Sequence, residues 1–263
     1  MANDFARALK RSRGSAHPAK AMTKQRADRL LVARGLFESR ARAQAAIAAG
    51  RVSVDGVRLR KAAEEISPTA VIEAQPEHPY VSRGGVKLAF ALDHFAVDVK
   101  DRVCLDVGAS TGGFAEVLLQ CGARRVYAVD VGRRQLHSRL RSRDDLVSIE
   151  GTDVRALDPS RLAEPPDLAT VDVSFISLRL VVPAIEKLLK RRASLLALIK
   201  PQFEAGRRKV KKGVVRDASA HAAICAQIGA FLAARGWRVG DIAPSPIRGG
   251  DGNREFFVGA ERG

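Results

Sequence analysis

The chain has 263 residues, room for one large domain or for a medium domain with a small one, and its hydrophobic content of 46% and charged content of 28% are those of a globular protein. Lys and Arg number 45 against 29 Asp and Glu, a net charge of +16 that points to a polyanionic partner such as nucleic acid. An anionic membrane surface would suit the same charge, but no apolar run approaches the roughly 20 residues that spanning requires, and even Ala193 to Ile199 is only strand-sized.

Residues 1–23 carry Arg7, Lys10, Arg11, Arg13 and Lys20 against the single acid Asp4, and they lack the apolar stretch of a secretory signal. A disordered basic tail is expected there. An Arg-rich organelle presequence, or a functional start at Met22, would fit the same residues. Cys104, Cys121 and Cys225 are odd in number and have no metal-ligand spacing, so they are expected to be reduced thiols of a cytoplasmic protein without a metal site.

From residue 24 the pattern becomes one of short amphipathic helices. Leu30, Leu31, Ala33 and Leu36 suit one apolar face, with Gly35 marking a frayed end. A second helix starts at the N-cap candidate Ser39 and runs through Ala41, Ala45, Ile47 and Ala48 to Gly50. Arg51 to Arg60 then alternates apolar and polar residues around Asp55-Gly56, a hairpin signal. Between Arg26 and Lys61 there are nine basic and three acidic residues, whereas the only charges from Glu64 to Glu77 are four glutamates. Arginines clustered on a helix pair suit phosphate contact, which gives affinity without base readout.

Arg29-Leu30-Leu31, the helix start Ser39-Arg40, the Ala45-Ile47-Gly50 spacing and Val52-Ser-Val-Asp-Gly56 together resemble the S-four-type RNA-binding domain. The resemblance covers residues 24–73 and implies binding to structured RNA, with Arg29, Arg40, Arg42 and Arg51 as the contact candidates.

A linker is expected over residues 74–81, where Pro76 and Pro79 disfavour regular structure. The stretch 82–263 follows as a second domain. Strand signals at 102–107, 125–130, 146–149, 168–173 and 194–199 alternate with helical ones at 84–95, 113–121, 178–190 and 218–235. Two last strands are expected at 237–243 and 254–259. Such alternation predicts an α/β fold, a Rossmann-like doubly wound sheet, following a small α+β domain.

In that fold a ligand sits beyond the carboxyl ends of the strands, where strand order reverses. Asp106-Val-Gly108 ends the first of these strands, and Gly112-Gly113-Phe114 opens the next helix, with Ala109, Ser110 and Thr111 between them. A dinucleotide site would prefer G-x-G-x-x-G, and a Walker loop would place Lys-Ser/Thr after the glycines. Neither pattern is present. Asp106, two positions before the first glycine, would repel a pyrophosphate but favour the ammonium of an amino-acid moiety, which points to S-adenosylmethionine. Asp130-Val131 ends the second strand, where an acid reaches a ribose, and Asp153-Val154 follows the third, where a carboxylate can accept from an adenine amino group.

Four further stretches put polar residues at element ends: Ser82-Arg-Gly-Gly-Val-Lys87, Asp172-Val-Ser-Phe-Ile-Ser177, Ile199-Lys200-Pro-Gln-Phe-Glu204 and Gly249-Gly-Asp-Gly-Asn-Arg-Glu255. With the glycine turn they resemble the TlyA family, FtsJ-like rRNA 2′-O-methyltransferases whose members also carry the label haemolysin. The resemblance covers residues 24–259 and implies a catalytic tetrad at Lys87, Asp172, Lys200 and Glu255. It also implies that Lys200 orients and deprotonates a ribose 2′-hydroxyl, with cytidines of 16S or 23S rRNA, or both, as targets. A lysine accepts a proton only in its neutral form, which the positive charge of Lys87 and of a sulfonium favours and the carboxylates of Asp172 and Glu255 oppose.

Arg207, Arg208, Lys209, Lys211 and Lys212 put five basic residues just after the lysine strand, a candidate phosphate clamp. Aromatic residues, at 5%, are too sparse for a stacking platform. The expected partner is rRNA or a ribosomal subunit, engaged by a monomer with no protein partner. Two rival functions are a non-catalytic RNA-binding or ribosome-assembly factor and a membrane-lytic haemolysin.

Overall fold

The computed structural model describes residues 23–205, 214–249 and 252–263. The first 22 residues of the expected tail and the run Arg207 to Lys212 lie outside the described residues. The chain divides into two units, Met1–Pro79 and Tyr80–Gly263.

The first unit contains β1 (Gln25–Arg26), α1 (Ala27–Ala33), α2 (Arg40–Ala48), β2 (Val52–Val54), β3 (Val57–Arg58), β4 (Glu65–Ile66) and β5 (Ile72–Ala74). β1 pairs antiparallel with β4, and β2 is the centre of a three-stranded antiparallel sheet, β3-β2-β5. Ser39 caps α2 by accepting from the Arg42 N–H, and Asp55-Gly56 forms the two-residue loop between β2 and β3, as the sequence signals. Ala27, Leu30, Leu31, Phe37, Ala43, Ile47, Val52, Leu59 and Ile66 form the core.

Two expectations here need correction. Ala33 and Leu36 are exposed, because α1 ends at Ala33 and the buried face is Ala27, Leu30 and Leu31 with Asp28 beside them. Gly35 closes the helix rather than fraying it. At φ +70 its N–H donates to the Val32 carbonyl while the Leu36 N–H donates to Leu31, the paired bonds of a Schellman end.

The second unit contains α3 (Arg83–His94), β6 (Val103–Val107), α4 (Gly113–Gln120), β7 (Arg125–Asp130), α5 (Ser138–Arg141), β8 (Leu146–Glu150) and β9 (Leu168–Val171). It continues with α6 (Leu178–Leu188), β10 (Ala193–Ile199), α7 (Pro201–Glu204), α8 (Ala218–Ala234), β11 (Arg238–Pro244) and β12 (Phe256–Arg262). The seven strands run in the order β11-β12-β10-β9-β6-β7-β8. β6 to β10 are mutually parallel, and β12 is antiparallel to both its neighbours. Tyr80 and Val81, the end of the expected linker, belong to this unit, where the Val81 N–H donates to Glu116 at 2.6 Å.

Period two decides what each strand offers to each side of the sheet. Val103, Leu105 and Val107 pack with Val181, Ile185 and Ile228 of α6 and α8, whereas Cys104 packs with Leu88 of α3 and Leu118 of α4. Cys104, Cys121 and Cys225 are all free thiols, and burial pushes Cys104 up to about 12. The chain leaves β6 for β7 and β8 on one side and returns to β9 on the other, so strand order reverses between β6 and β9. Among the described residues no helix is long and apolar enough to cross a membrane.

Candidate active site

A cavity of about 910 Å³ opens where the strand order reverses. Its walls come from the turn after β6 (Val107, Gly108, Ser110), the end of β7 (Val129, Asp130, Val131) and the turn after β8 (Thr152, Asp153, Val154, Arg155). The loop after β9, from Asp172 to Ser177, closes it with Leu180 and Val181 of α6 and Phe203 of α7. Asp130 organises the rim: its two carboxylate oxygens accept from the backbone N–H groups of Ser110 at 2.8 Å and Gly132 at 2.7 Å. Asp153 is paired with Arg155 at 2.6 Å, which holds its carboxyl below the usual range.

Gly108 is required where it stands. Its φ is +84, and a Cβ added there would lie 2.6 Å from the carbonyl oxygen of Asp172, a backbone atom that cannot swing away. The turn after β6 and the start of the loop after β9 therefore touch backbone to backbone.

The other residues of the glycine turn make contacts within the protein. Side chains at Gly112 and Gly113 would collide with Leu140 and with Ser82, so these glycines make room for protein packing. Phe114 is buried against Phe257, with ring centroids 6.2 Å apart. Thr111 is absent from the cavity wall, and its carbonyl accepts from the His137 N–H at 3.1 Å. Asp106 also lies behind the wall, fully buried, because alternation along β6 turns it with Cys104 toward the α3 and α4 side. Its Oδ1 accepts from the Thr170 hydroxyl at 3.0 Å, and its Oδ2 has no hydrogen-bond partner among the described residues. Burial pushes this carboxyl up to about 7, against the Thr170 bond, so it is largely neutral below that pH.

The four polar residues at element ends form two ion pairs, Lys87–Glu255 buried on both sides and Lys200–Asp172 with the lysine buried and the carboxylate half-buried. Lys200 Nζ lies 2.6 Å from Asp172 Oδ1 and donates to Ser174 Oγ at 2.9 Å. Lys87 Nζ, from α3, donates to Glu255 Oε2 at 2.6 Å. Strand register brings the pairs to one edge of the sheet: Ile199 pairs with Phe256, so Lys200 and Glu255 flank the same rung of β10 and β12. The next strand over, β9, ends at Val171, paired with Ala197, and Asp172 follows it. The predicted strand 168–173 is thus two residues shorter, which releases Asp172 and Val173 to the cavity wall.

Sequence reasoning passed over several groups here. Ser174, inside a stretch already singled out, supplies the second partner of Lys200. Glu204 accepts from Ser177 Oγ and from the Leu178 N–H, which caps α6 and ties α7 to the loop after β9. Burial raises its carboxyl above the usual range, against the pull of those two bonds. Phe175, 91% exposed at φ +65, stands beside Phe203 with ring centroids 5.0 Å apart. Spacing alone carries no signal for contacts made between different loops.

In the first unit Arg29, Arg40 and Arg51 are exposed, while Arg42 is half-buried and pairs with Glu38 at 3.4 Å.

A parallel sheet with one antiparallel strand entering from the site edge, a nucleoside-sized cavity at its switch point and two lysine–carboxylate pairs built on buried lysines define a methyltransferase fold joined to a small RNA-binding module. The sequence agrees: residues 80–262 match the FtsJ-like methyltransferase family and residues 25–72 match the S4 domain. The chain is 42% identical to the 16S/23S rRNA (cytidine-2′-O)-methyltransferase TlyA of Mycobacterium tuberculosis, over 89% of this chain and 88% of that one. It is 40% identical to Hemolysin A of Brachyspira hyodysenteriae, over 89% and 98%. A solved structure of a Streptococcus thermophilus protein described as a hemolysin superposes with a TM-score of 0.72 at 43% identity, covering 92% of this chain and 90% of that one. The chain belongs to the FtsJ-like methyltransferases, in the TlyA family.

S-adenosylmethionine is the cofactor of this family, and the cavity fits it. Val107, Val129, Val131 and Val154 offer apolar surface to a purine, Asp130 and Asp153 offer acceptors, and the side-chain-free Gly108 admits a ligand close to the backbone.

Proposed function

We propose that this protein methylates the ribose 2′-hydroxyl of cytidine in 16S rRNA, 23S rRNA or both. The observation that carries the reading is Lys200, buried between Asp172 and Ser174, with both partners on the wall of the cofactor cavity. When bound, S-adenosylmethionine supplies an electrophilic methyl group on a positively charged sulfur. Gly108, Ser110, Asp130, Val131, Asp153 and Val154 would hold it, and Asp106 would act from behind the turn by shaping it. Lys200 Nζ would meet the 2′-hydroxyl, fix its lone pair in line with the methyl group and take its proton as the bond forms. Asp172 would orient Lys200 as the neutral amine that takes this proton and then balance the positive charge of the ammonium it becomes. Lys87 and Glu255, a second closed pair, hold the neighbouring strand end and the ribose in register. Residues 24–73 would bring structured RNA to the site, through Arg29, Arg40, Arg42 and Arg51, and residues 75–79, between β5 and Tyr80, would link the units. Arg207, Arg208, Lys209, Lys211 and Lys212 would add phosphate contacts.

Transfer of labelled methyl from S-adenosylmethionine to purified ribosomal subunits, with the modified ribose mapped by its resistance to alkaline cleavage, tests the reading. Methylated cytidine is expected in at least one rRNA. Lys200→Ala is expected to reduce the rate at least about 1,000-fold, as for loss of positioning and proton transfer together, while cofactor and RNA binding stay within about threefold. Full turnover by that variant, or transfer only to a base, defeats the proposal.

A further inference from the structure

Asp28 lies in the first turn of α1, fully buried, and it is surrounded by donors from three side chains, one before α1 and two on α2. Arg26 reaches it through Nε and Nη2, each at 3.1 Å to a different carboxylate oxygen. Arg40, at the start of α2, donates to Oδ2 from Nη2 at 2.8 Å and Nε at 3.3 Å, and Gln44 Nε2 donates to the same oxygen at 2.8 Å. The two arginine side chains are nonetheless 39% and 49% exposed. Hydrogen bonds from Arg26 hold the carboxyl well below the usual range against its burial.

A buried carboxylate needing two arginines is an expensive way to seal a core, since an apolar side chain of similar size often does as well. What the arrangement adds is geometry. One carboxylate neutralises one of the two positive charges and leaves a net charge of one, while each guanidinium keeps Nη1 outside the clamp. Arginine loses much side-chain freedom when it must be ordered on an anion. Here that ordering happens when the unit folds and not when the anion arrives. A planar fork held in this way presents its remaining donors at fixed positions, the arrangement that suits a phosphate oxygen.

We infer that Asp28 is a positioning residue for RNA: it sets Arg26 and Arg40 as a pre-ordered pair that grips one phosphate group of the rRNA backbone. Arg26 thereby joins the contact residues. The inference rests on the reading that this unit binds rRNA.

Affinity for transcribed 16S and 23S rRNA, measured with the full chain across a potassium chloride series, separates the alternatives. Arg40→Ala is expected to weaken binding about tenfold and to lower the log–log salt slope by about one. Asp28→Asn is expected to weaken binding comparably, and adding Arg40→Ala to it is expected to cost less than about twofold more, because the two act through one contact. Additive losses, or wild-type affinity in Asp28→Asn, overturn the inference. Arg40→Lys covers the case in which Asp28→Asn fails to fold: it keeps the charge but not the fork, so it should lose nearly as much as Arg40→Ala. Retained affinity in Arg40→Lys speaks for charge alone and also overturns it. Unchanged affinity and salt slope in Arg40→Ala also overturn the inference, whereas unchanged rRNA affinity with Arg29, Arg40, Arg42 and Arg51 all replaced by Ala means that the RNA-binding reading of the unit fails instead.

Discussion

Asp106 and Asp28 are both fully buried carboxylates, and their surroundings drive their protons in opposite directions. Asp28 has two guanidinium partners and stays ionised, whereas Asp106 has one hydroxyl donor and is pushed from 3.8 up to about 7. The consequence for stability follows from linkage. Between those two values the folded state holds a proton that the unfolded state has released, so rising pH favours unfolding across that window and not above it. The loss amounts to about 4 kcal/mol at most by the shift alone. Asp106→Asn, which cannot ionise, is expected to remove this slope, so that denaturant midpoints at pH 5 and pH 7.5 differ less in the variant than in the wild type. An unchanged slope would mean that Asp106 is already ionised in the folded protein. Residue types were more legible in the sequence than residue roles. Lys87, Asp172, Lys200 and Glu255 were named from motif, and two ion pairs join them. Asp106 was read as a ligand contact because it precedes a glycine turn, but the pleat of β6 turns it to the opposite side.

At the scale of elements, alternation of apolar runs and turn residues predicted all seven strands of the large sheet and its four longer helices, within one to three residues at most ends. Strand order was not legible, because it is set by which helix covers which face. The short α5 and α7 were also missed, since four residues carry no period. α7 nevertheless matters, for its Glu204 caps α6 and fixes the loop that carries Asp172 and Ser174. The backbone contact at Gly108 belongs to this scale as well. Gly108→Ala forces a side chain against the Asp172 carbonyl at a left-handed φ. It is expected to lower cofactor affinity and turnover together, each about tenfold or more, with rRNA affinity unchanged. Calorimetric titration with S-adenosylmethionine beside a methyl-transfer assay checks this; loss of rRNA binding alone would place the strain elsewhere.

For the whole molecule the net charge of +16 sets how it meets its substrate. With several phosphates neutralised, rRNA affinity is expected to fall about 100-fold or more between 50 and 200 mM salt, while binding of the cofactor, proposed for the cavity at the switch point, is expected to change less than about threefold. Filter binding across a salt series reads the first and calorimetry the second, and a flat rRNA curve would mean that base contacts carry the affinity. The sheet itself imposes an order of events. β12 enters between β10 and β11, so β11 has no partner in the sheet until the strand after it arrives. Glu255 stands immediately before β12, and its partner Lys87 is made 168 residues earlier. During synthesis from the amino end, the cofactor cavity can therefore assemble while Lys87 still waits for its carboxylate. The step that closes the sheet also closes the Lys87–Glu255 pair, so a growing chain has every wall of the cavity before it has that pair.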